Sequence, residues 1–498
     1  MTAPETAPET VVARPGRPPD KPGPAGPQAG AAAERTRRTL APFLTRHDAG
    51  AGRTLGRRRL LAALAAGPLA PLGGAGAARA AGLPANPDVV VIGAGMAGLA
   101  AARALGEVGL AVAVLEARGR IGGRAVTDTA AFGVPVDLGC SWLHAAPRNP
   151  LTPVARRLGF APEPDDAEPR LYLDGVRADD EAWRALDAAW ARLARRLDAA
   201  AARGEDVSAA AAAPPRDRWD RIVAANMGPL AAGVAFEDLA VMDWAAQVET
   251  GDDALLPAGL GSMVARFGAG LPVRLATPVT RIRWDGPGVA VETAAGTLRA
   301  RVAVVTVPPA VLAAGGIAFT PALPEPTQAA LAGLPMGLLN KVVLRFAPGT
   351  LAVPPTTGVQ GWAGDGPLYD VLLRPFGADL AIAFYGGPQA HALEAAGEAA
   401  AVAVALDGLA SLLGSSVARG FRDGRATRWG ADPWARGAYA AQRPGHAGAR
   451  TALAAPVADR LVFAGEACDP AWATQLAGAY LSGRAAARAV AAMGATGR

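Results

Sequence analysis

The fold is decided by residues 88–124, which read DVVVIGAGMAGLAAARALGEVGLAVAVLEARGRIGGR. Four apolar residues at 89–92 predict a buried strand, and a GxGxxG turn at 93–98 opens an Ala/Leu-rich helix. In such a turn the first glycine permits the bend, the second lets the backbone approach a pyrophosphate, and the third lets helix and strand pack closely. A second predicted strand, at 111–115, ends at Glu116, where a carboxylate can accept the ribose hydroxyls of a dinucleotide.

The residues after Glu116 favour FAD over a nicotinamide cofactor. They form a basic, glycine-rich turn at 117–124, and a nicotinamide enzyme has no need of a second phosphate anchor there. The run EARGRIGGR at 116–124 resembles the flavin-containing amine oxidase family, which includes monoamine oxidases, polyamine oxidases and histone-demethylase relatives. The resemblance implies an α/β fold, with a discontinuous Rossmann-like FAD-binding domain and an α+β substrate domain in a two-domain architecture.

Composition restricts the class of protein further. The chain has 498 residues, 51% of them apolar, which is enough for two sizeable domains. Residues 1–82 hold 12 Lys and Arg against 5 Asp and Glu, whereas residues 83–498 hold 37 against 39, so we expect no nucleic-acid partner. The four histidines are scattered and the two cysteines fit no ligand spacing, so we expect no metal. Cys140 and Cys468 both fall in stretches assigned to the flavin site, and both a disulfide and two free thiols stay open.

The first 81 residues predict export. Residues 1–50 are rich in Pro, Ala, Gly and Arg, and are expected to be a disordered leader or the product of a start site assigned too early. Within 51–81, GRRRLL at 56–61 precedes an apolar run and a small-x-small pattern at 78–80, which favours a twin-arginine signal over a chance basic helix start. Prolines interrupt the run, which is too short to span a bilayer. We expect a periplasmic or extracellular product without stable membrane insertion after cleavage.

The periodicity of apolar residues changes along the body of the chain. Strands are predicted at 273–275, 279–284, 289–293, 302–307, 341–346, 380–384 and 461–464, and helices at 391–413 and 478–493. The family resemblance implies that the FAD-binding domain is discontinuous. It is assigned to residues 86–150, 251–324 and 440–498, and the substrate-binding domain to residues 151–250 and 325–439.

Two residues are predicted to be catalytic. The stretch GLLNKVVLRF at 337–346 resembles the strand whose lysine lies near flavin N5 and holds a water that assists reoxidation by O2. The chain has two lysines, Lys21 and Lys341, beside 47 arginines, and a point charge on a flexible stem suits this role better than a planar guanidinium. We therefore favour this role for Lys341 over that of a surface lysine. Tyr439 matches one wall of the aromatic cage that guides an amine to the flavin.

Other positions depart from the family pattern. Ala438 stands where monoamine oxidases carry the cysteine bonded to FAD, which predicts non-covalent FAD. Gln475 replaces the second aromatic wall, with Trp472 or Trp434 as the candidate for the missing face, and Ala477 replaces a polar residue. The substrate residues predicted are His144, Gln475 and Trp472, with a place in the cavity wall as the equal alternative for His144.

Further matches predict the FAD site. DLGCSWLH at 137–144 resembles the stretch beside the isoalloxazine ring, residues 278–279 the segment that pairs with adenine, and the acid at 466 a ligand of ribityl or pyrophosphate-linked hydroxyls. The amides that open the last helix are placed to stabilise negative charge at the flavin pyrimidine. The predicted cofactor-binding residues are Gly93, Gly95, Met96, Ala97, Gly98, Glu116, Ala117, Arg118, Gly123, Arg124, Gly139, Cys140, Ser141, Trp142, Val279, Trp429, Gly465, Glu466, Gln475 and Leu476.

The resemblance implies an FAD-dependent oxidase of C–N bonds. Hydride passes from the α-carbon of a small-molecule amine to flavin N5, the imine hydrolyses in water, and O2 reoxidises the flavin to give hydrogen peroxide. Three alternatives stay open: an L-amino-acid oxidase, a C–C desaturase or porphyrinogen-oxidase-like enzyme, and a non-catalytic flavoprotein. Primary amines, polyamines and amino acids all remain possible substrates.

Overall fold

The computed structural model describes residues 82–166, 169–248, 251–364 and 366–495. The predicted leader and twin-arginine signal lie outside the described residues. Among the helices that are described, none is both long and apolar enough to cross a bilayer.

The GxGxxG turn follows the central strand of a five-stranded parallel sheet. The predicted strand Val89–Ile92 pairs with Val112–Leu115 on one side and with Val302–Val305 on the other, and all three are buried throughout. Such continuous apolar runs are typical of parallel strands that are covered on both faces. The strand order is Val273–Arg274, Val112–Leu115, Val89–Ile92, Val302–Val305 and Leu461–Phe463.

Different elements cover the two faces of the parallel sheet. Val89 and Val91 project into a core formed with the helices Met96–Glu107 and Leu476–Ala495, which cross closely because Gly483 has no Cβ to collide with a helix carbonyl. Val90 and Ile92 project into a second core on the opposite face. That core is closed by a four-stranded sheet in the order Gly296–Ala300, Val289–Thr293, Val279–Arg283 and Ala318–Thr320.

A seven-stranded mixed sheet forms the other half of the structure. Its strand Leu339–Phe346 carries Lys341 and pairs antiparallel with both of its neighbours. The order is Phe421–Ala426, Leu339–Phe346, Leu380–Gly386, Tyr369–Leu373, Thr357–Trp362, Arg170–Leu173 and Val176–Arg177. Small sheets join Met336–Gly337 to Tyr439–Ala440, Thr127–Asp128 to Val136–Asp137, and Ala254–Leu255 to Trp142–Leu143 and Glu163–Pro164.

The longest of the described helices, Asp180–Ala202, begins where the Asp179 side chain accepts a hydrogen bond from the amide of Ala182, as expected of an N-cap. The predicted helical region 391–413 is divided into Gly387–Ala396 and Glu398–Leu413, because Gly397 adopts a φ of 93°. Other α-helices are Leu151–Arg157, Ala209–Ala212, Arg218–Ala225, Val241–Ala246, Leu260–Gly268, Pro309–Ala313, Glu325–Ala332, Ser416–Gly420 and Ala449–Ala454, with a π-helix at Asn226–Leu230 and 3-10 turns at Pro375–Gly377 and Glu466–Cys468.

A buried ion pair joins two of the short helices. The guanidinium of Arg450 is fully buried, and its Nε and Nη2 atoms donate to the two carboxylate oxygens of Asp243 at 2.6 and 2.8 Å. Nη2 also donates to the carbonyl of Ala440 at 2.7 Å, and the carboxylate accepts from the amide of Gln442 at 3.3 Å. The pair therefore fixes the backbone that follows Tyr439.

We expect Arg450→Met to lower the free energy of unfolding by about 3–5 kcal/mol, because it leaves the Asp243 carboxylate buried without its counter-charge. Urea denaturation followed by circular dichroism measures the change. The matched control, Arg345→Met, breaks the exposed Arg345–Asp423 pair and is expected to cost no more than about 1 kcal/mol. Equal effects in the two variants would contradict this assignment.

Candidate active site

A cavity of about 430 Å³ lies between the parallel sheet and the seven-stranded sheet. We call the part near Gly93 and Glu116 the cofactor end, and the part near Lys341, Phe384 and Asp370 the sheet end. Of the predicted site residues, those that line the cavity are Gly93, Gly95, Met96, Ala97, Glu116, Ala117, Arg118, Gly123, Arg124, Gly139, Cys140, Ser141, Trp142, His144, Val279, Lys341, Trp429, Tyr439, Gly465, Glu466, Gln475 and Leu476. Gly98 and Trp472 are outside the lining.

The glycine turn is shaped to accept a phosphate group. Gly93 has a φ of 103° and its amide donates to the carbonyl of Leu115 at 2.8 Å, which makes the tight bend. A Cβ at Gly98 would collide with the carbonyl oxygen of Gly93, so Gly98 serves the packing of helix against strand and not the cavity wall. A Cβ at Gly95, in contrast, would be 3.9 Å from its nearest neighbour, so the space above this helix N-terminus is open to a ligand.

Glu116 is held by the backbone on both sides of the turn. Its Oε2 accepts from the amide of Ala94 at 2.7 Å and its Oε1 from the amide of Arg118 at 2.8 Å. Each carboxylate oxygen has a second lone pair, so the fixed carboxylate can still accept ribose hydroxyls. The open glycine turn and this carboxylate fit the pyrophosphate and ribose of FAD.

The two arginines in the lining are both bound within the protein. Arg118 forms a two-pronged ion pair with Asp432, at 2.7 and 2.8 Å. Arg124 donates from Nη1 to the carbonyl of Ala438 at 2.8 Å and to Oε1 of Glu466 at 3.0 Å. The basic turn at 117–124 is thus tied to the segment that carries Tyr439.

Glu466 is a buried carboxylate shared by several segments of the wall. Its Oε1 accepts from Arg124 and from the amide of Ala440 at 3.1 Å, and its Oε2 accepts from the amide of Thr474 at 3.3 Å. The Nη1 atom of Arg450 is 4.0 Å from Oε2. The acid predicted to bind cofactor hydroxyls therefore also holds the cavity together.

Lys341 is buried at the sheet end. Its ammonium donates to the carbonyls of Asp137 at 2.8 Å and Gly139 at 2.6 Å, and to the hydroxyl of Ser141. These three acceptors match the three protons of an ammonium group. Burial lowers the pKa of Lys341 to about 8, against the opposing charge of Asp137. Lys341 thus fixes the stretch predicted to lie beside the flavin ring.

Of the residues predicted for the cage, Tyr439 and Gln475 line the cavity and Trp472 does not. The hydroxyl of Tyr439 donates to the carbonyl of Leu230 at 3.0 Å, and Gln475 presents a buried Oε1 without a protein donor among the described residues. Trp472, predicted to contact substrate, instead packs with Ala145 and Ala477 outside the lining. The alternative, Trp434, does line the cavity.

His144 belongs to a small acidic cluster. Its Nδ1 lies 2.8 Å from Oδ2 of Asp253, and its ring stacks on Trp142 with centroids 6.3 Å apart. The indole of Trp142 donates to Asp165 at 2.7 Å. Burial raises the pKa of Asp165. For Asp253 burial acts in the same direction, but the charge and hydrogen bond of His144, together with the hydrogen bond from the amide of Ala145, lower the pKa on balance. No sequence motif indicated that Asp165 and Asp253 reach this site.

Several cavity-lining residues were not indicated by the sequence. Asp370 is the ionisable one, and its signal was a polar residue in the apolar strand Tyr369–Leu373. The others include Leu230, Ala231, Trp244, Gln247, Leu339 and Phe384. In the described residues there is no group of three or more His, Cys, Asp or Glu that is arranged to hold a metal ion.

Comparisons with known proteins define the family. The model of flavin containing amine oxidoreductases matches residues 96–491. Polyamine oxidase 4 of Oryza sativa subsp. japonica is 30% identical over 453 residues, which cover 80% of this chain and 88% of that protein. Lysine-specific histone demethylase 1 homolog 1 of the same species is 33% identical, but the match covers 51% of its length. The structure of putrescine oxidase bound to putrescine superposes with a TM-score of 0.68 over 82% of this chain and 99% of that one, at 22% identity.

The chain belongs to the flavin-containing amine oxidoreductase family. The predicted α/β fold, with a Rossmann-like parallel sheet and a mixed substrate-domain sheet, is confirmed. The protein is an FAD-dependent amine oxidase that acts on C–N bonds.

Proposed function

We propose that this enzyme binds FAD non-covalently in the cavity and oxidises amines at the sheet end, with O2 as the electron acceptor. The observation that carries the proposal is the continuity of the cavity. It joins the open glycine turn and Glu116 to the wall that carries Lys341 and Tyr439. When bound, FAD would accept hydride from the α-carbon of the amine at N5 and pass the electrons to O2, with an imine and hydrogen peroxide as products.

Two residues of the cavity wall, Ala438 and Cys140, support the non-covalent binding of FAD. Ala438 supplies no nucleophile, and its amide is occupied by the carbonyl of Gly337 at 2.8 Å. Cys140 is the thiol in the cavity wall, and burial raises its pKa to about 12, so it stays protonated and unreactive at neutral pH. Cys140 and Cys468 are both free thiols.

The polar groups of the wall favour an amine without a carboxylate. An L-amino-acid oxidase needs a cation for the carboxylate of its substrate. Arg118 and Arg124 are the arginines of the lining, and both are bound to protein acids near the cofactor end. The aromatic and aliphatic groups of the sheet end provide a desolvated chamber that favours the neutral form of an amine.

The test is to reduce the purified, FAD-loaded protein anaerobically with primary amines, polyamines and L-amino acids, and to measure peroxide after air is admitted. We expect an amine to bleach the flavin absorbance and peroxide to follow. Acid precipitation is expected to release all FAD into the supernatant. A yellow protein pellet would contradict non-covalent binding of FAD. A flavin that no amine reduces would instead favour C–C oxidation or a non-catalytic flavoprotein.

We propose that the Lys341 ammonium assists the reaction with O2 by stabilising the negative charge that develops there. Lys341→Met is expected to lower the second-order rate constant of reoxidation by about 100-fold. In the unaltered enzyme this constant should fall as pH rises through about 8, because the ammonium of Lys341 loses its proton there.

The dependence of this rate constant on pH is measured by stopped-flow mixing of the reduced enzyme with O2 at about one-unit steps between about pH 6 and pH 10. Arg345→Met, at the exposed end of the same strand, is the control and should keep the profile. A pH profile that is the same with and without Lys341 would contradict the role.

We also propose that the enzyme is exported through the twin-arginine pathway to the periplasm or the outside of the cell, without stable membrane insertion. The support is the GRRRLL sequence at 56–61 with the small-x-small pattern at 78–80. Replacing both Arg57 and Arg58 with Lys should keep the protein in the cytoplasm, as measured by cell fractionation. Unchanged export of that variant would exclude this pathway.

A further inference from the structure

The π-helix Asn226–Leu230 forms part of the cavity wall. Its last residue, Leu230, and the residue that follows, Ala231, both line the cavity. π-Helices are rare, occur mostly as single turns and are frequent at functional sites. Here Pro229 lies inside the turn. Because proline has no amide hydrogen and its ring collides with the carbonyl four residues earlier, it opposes a regular α-helix at this point and favours the wider turn.

The wide turn leaves one carbonyl group for a side chain of the site. In a regular α-helix the amide of Val234 would donate to the carbonyl of Leu230. In this structure that amide donates to the carbonyl of Gly228 at 3.4 Å instead. The carbonyl of Leu230 accepts the hydroxyl of Tyr439 at 3.0 Å. Burial raises the pKa of Tyr439, so the hydroxyl keeps its proton and donates it in this hydrogen bond.

The π-helix is attached at both ends to the seven-stranded sheet. At its first residue, Oδ1 of Asn226 accepts from the side-chain amide of Gln360 at 2.8 Å. Near its other end, the carbonyl oxygen of Pro229 lies so close to Gly386 that a Cβ on this glycine would collide with it. Both partners lie on strands of the sheet. The sheet therefore fixes the position of the Leu230 carbonyl.

We propose that the π-helix positions the ring of Tyr439 for the reacting amine, and that Pro229 and Asn226 are positioning residues that act through the Leu230 carbonyl. This inference rests on the proposed function, in which the amine reacts beside the wall that carries Lys341 and Tyr439. A ring that is held at its hydroxyl as well as at its backbone keeps one orientation. The amine then meets a fixed surface, and a small loss of orientation lowers the rate of reaction.

The experiment is a double-mutant cycle on the rate constant of flavin reduction, measured by anaerobic stopped-flow mixing of the FAD-loaded protein with a primary amine that bleaches it. Pro229→Ala restores an amide hydrogen and permits a tighter turn, so it should keep the protein folded and yet lower this constant by about 5- to 10-fold. Tyr439→Phe removes the same hydrogen bond and should cause a similar loss. The double variant should lie within about 2-fold of Tyr439→Phe alone.

A second variant enters the same cycle from the other end of the π-helix. Asn226→Leu keeps the size of the side chain but removes the acceptor for Gln360, and its effect should also disappear in the Tyr439→Phe background. Gln328→Ala is the matched control, because it removes an exposed side-chain amide that donates to the carbonyl of Leu323, far along the chain. It should leave the rate constant unchanged in both backgrounds.

Losses that multiply in the double variants, as independent structural damage would produce, would overturn the positioning role. So would unaltered rate constants in both Pro229→Ala and Asn226→Leu. A flavin that no amine reduces would reject the reaction proposed above and not this role. The cycle is then carried out on the dissociation constant of the amine for the FAD-loaded protein, measured from the change in flavin absorbance. Non-additive losses of binding would support the positioning role, and additive or absent losses would overturn it.

Discussion

The cavity depends on the buried carboxylate of Glu466. It accepts hydrogen bonds from Arg124, from the amide of Ala440 and from the amide of Thr474. These donors belong to the basic turn, to the strand that begins at Tyr439, and to the segment before the last helix. Because the amides of Ala440 and Thr474 would lose their acceptor and Arg124 its counter-charge without this carboxylate, the three segments keep one relative arrangement. Arg450, held in turn by Asp243, extends the same network to the helix Val241–Ala246.

This network explains how segments from the parallel sheet and from the seven-stranded sheet form one well-ordered site. The parallel sheet ends at the glycine turn and Glu116, whereas the seven-stranded sheet presents Lys341, Phe384 and Asp370 from its face. Lys341 bridges the two, because it donates to carbonyls at 137 and 139, on the segment that leaves the cofactor end. Groups carried on strands and fixed by such bonds are placed more exactly than groups on free loops.

The parts of the site that sequence predicted are those whose chemistry is local. The glycine turn and Glu116 lie within 30 residues of each other, and strand, turn and helix carry the signal together. The sequence did not indicate Asp370, because its position in the cavity depends on strand register. The pairing of the strands places it two strands from Lys341. Trp472 is close to Gln475 in sequence, but proximity in sequence does not give the direction of a side chain. Thr474, with a φ of 65°, turns the chain between them and leaves Trp472 outside the lining.

The two charged groups of the sheet end act differently on an amine beside them. Lys341 has its protons directed at three protein oxygens and carries a positive charge below about pH 8, so it lowers the pKa of an amine beside it and favours the neutral form that gives up hydride. Asp370 has no cation of its own and favours an ammonium beside it. Phe384 separates the two positions. On the proposed function, the amine that reacts is therefore expected beside Lys341, where its neutral form is favoured.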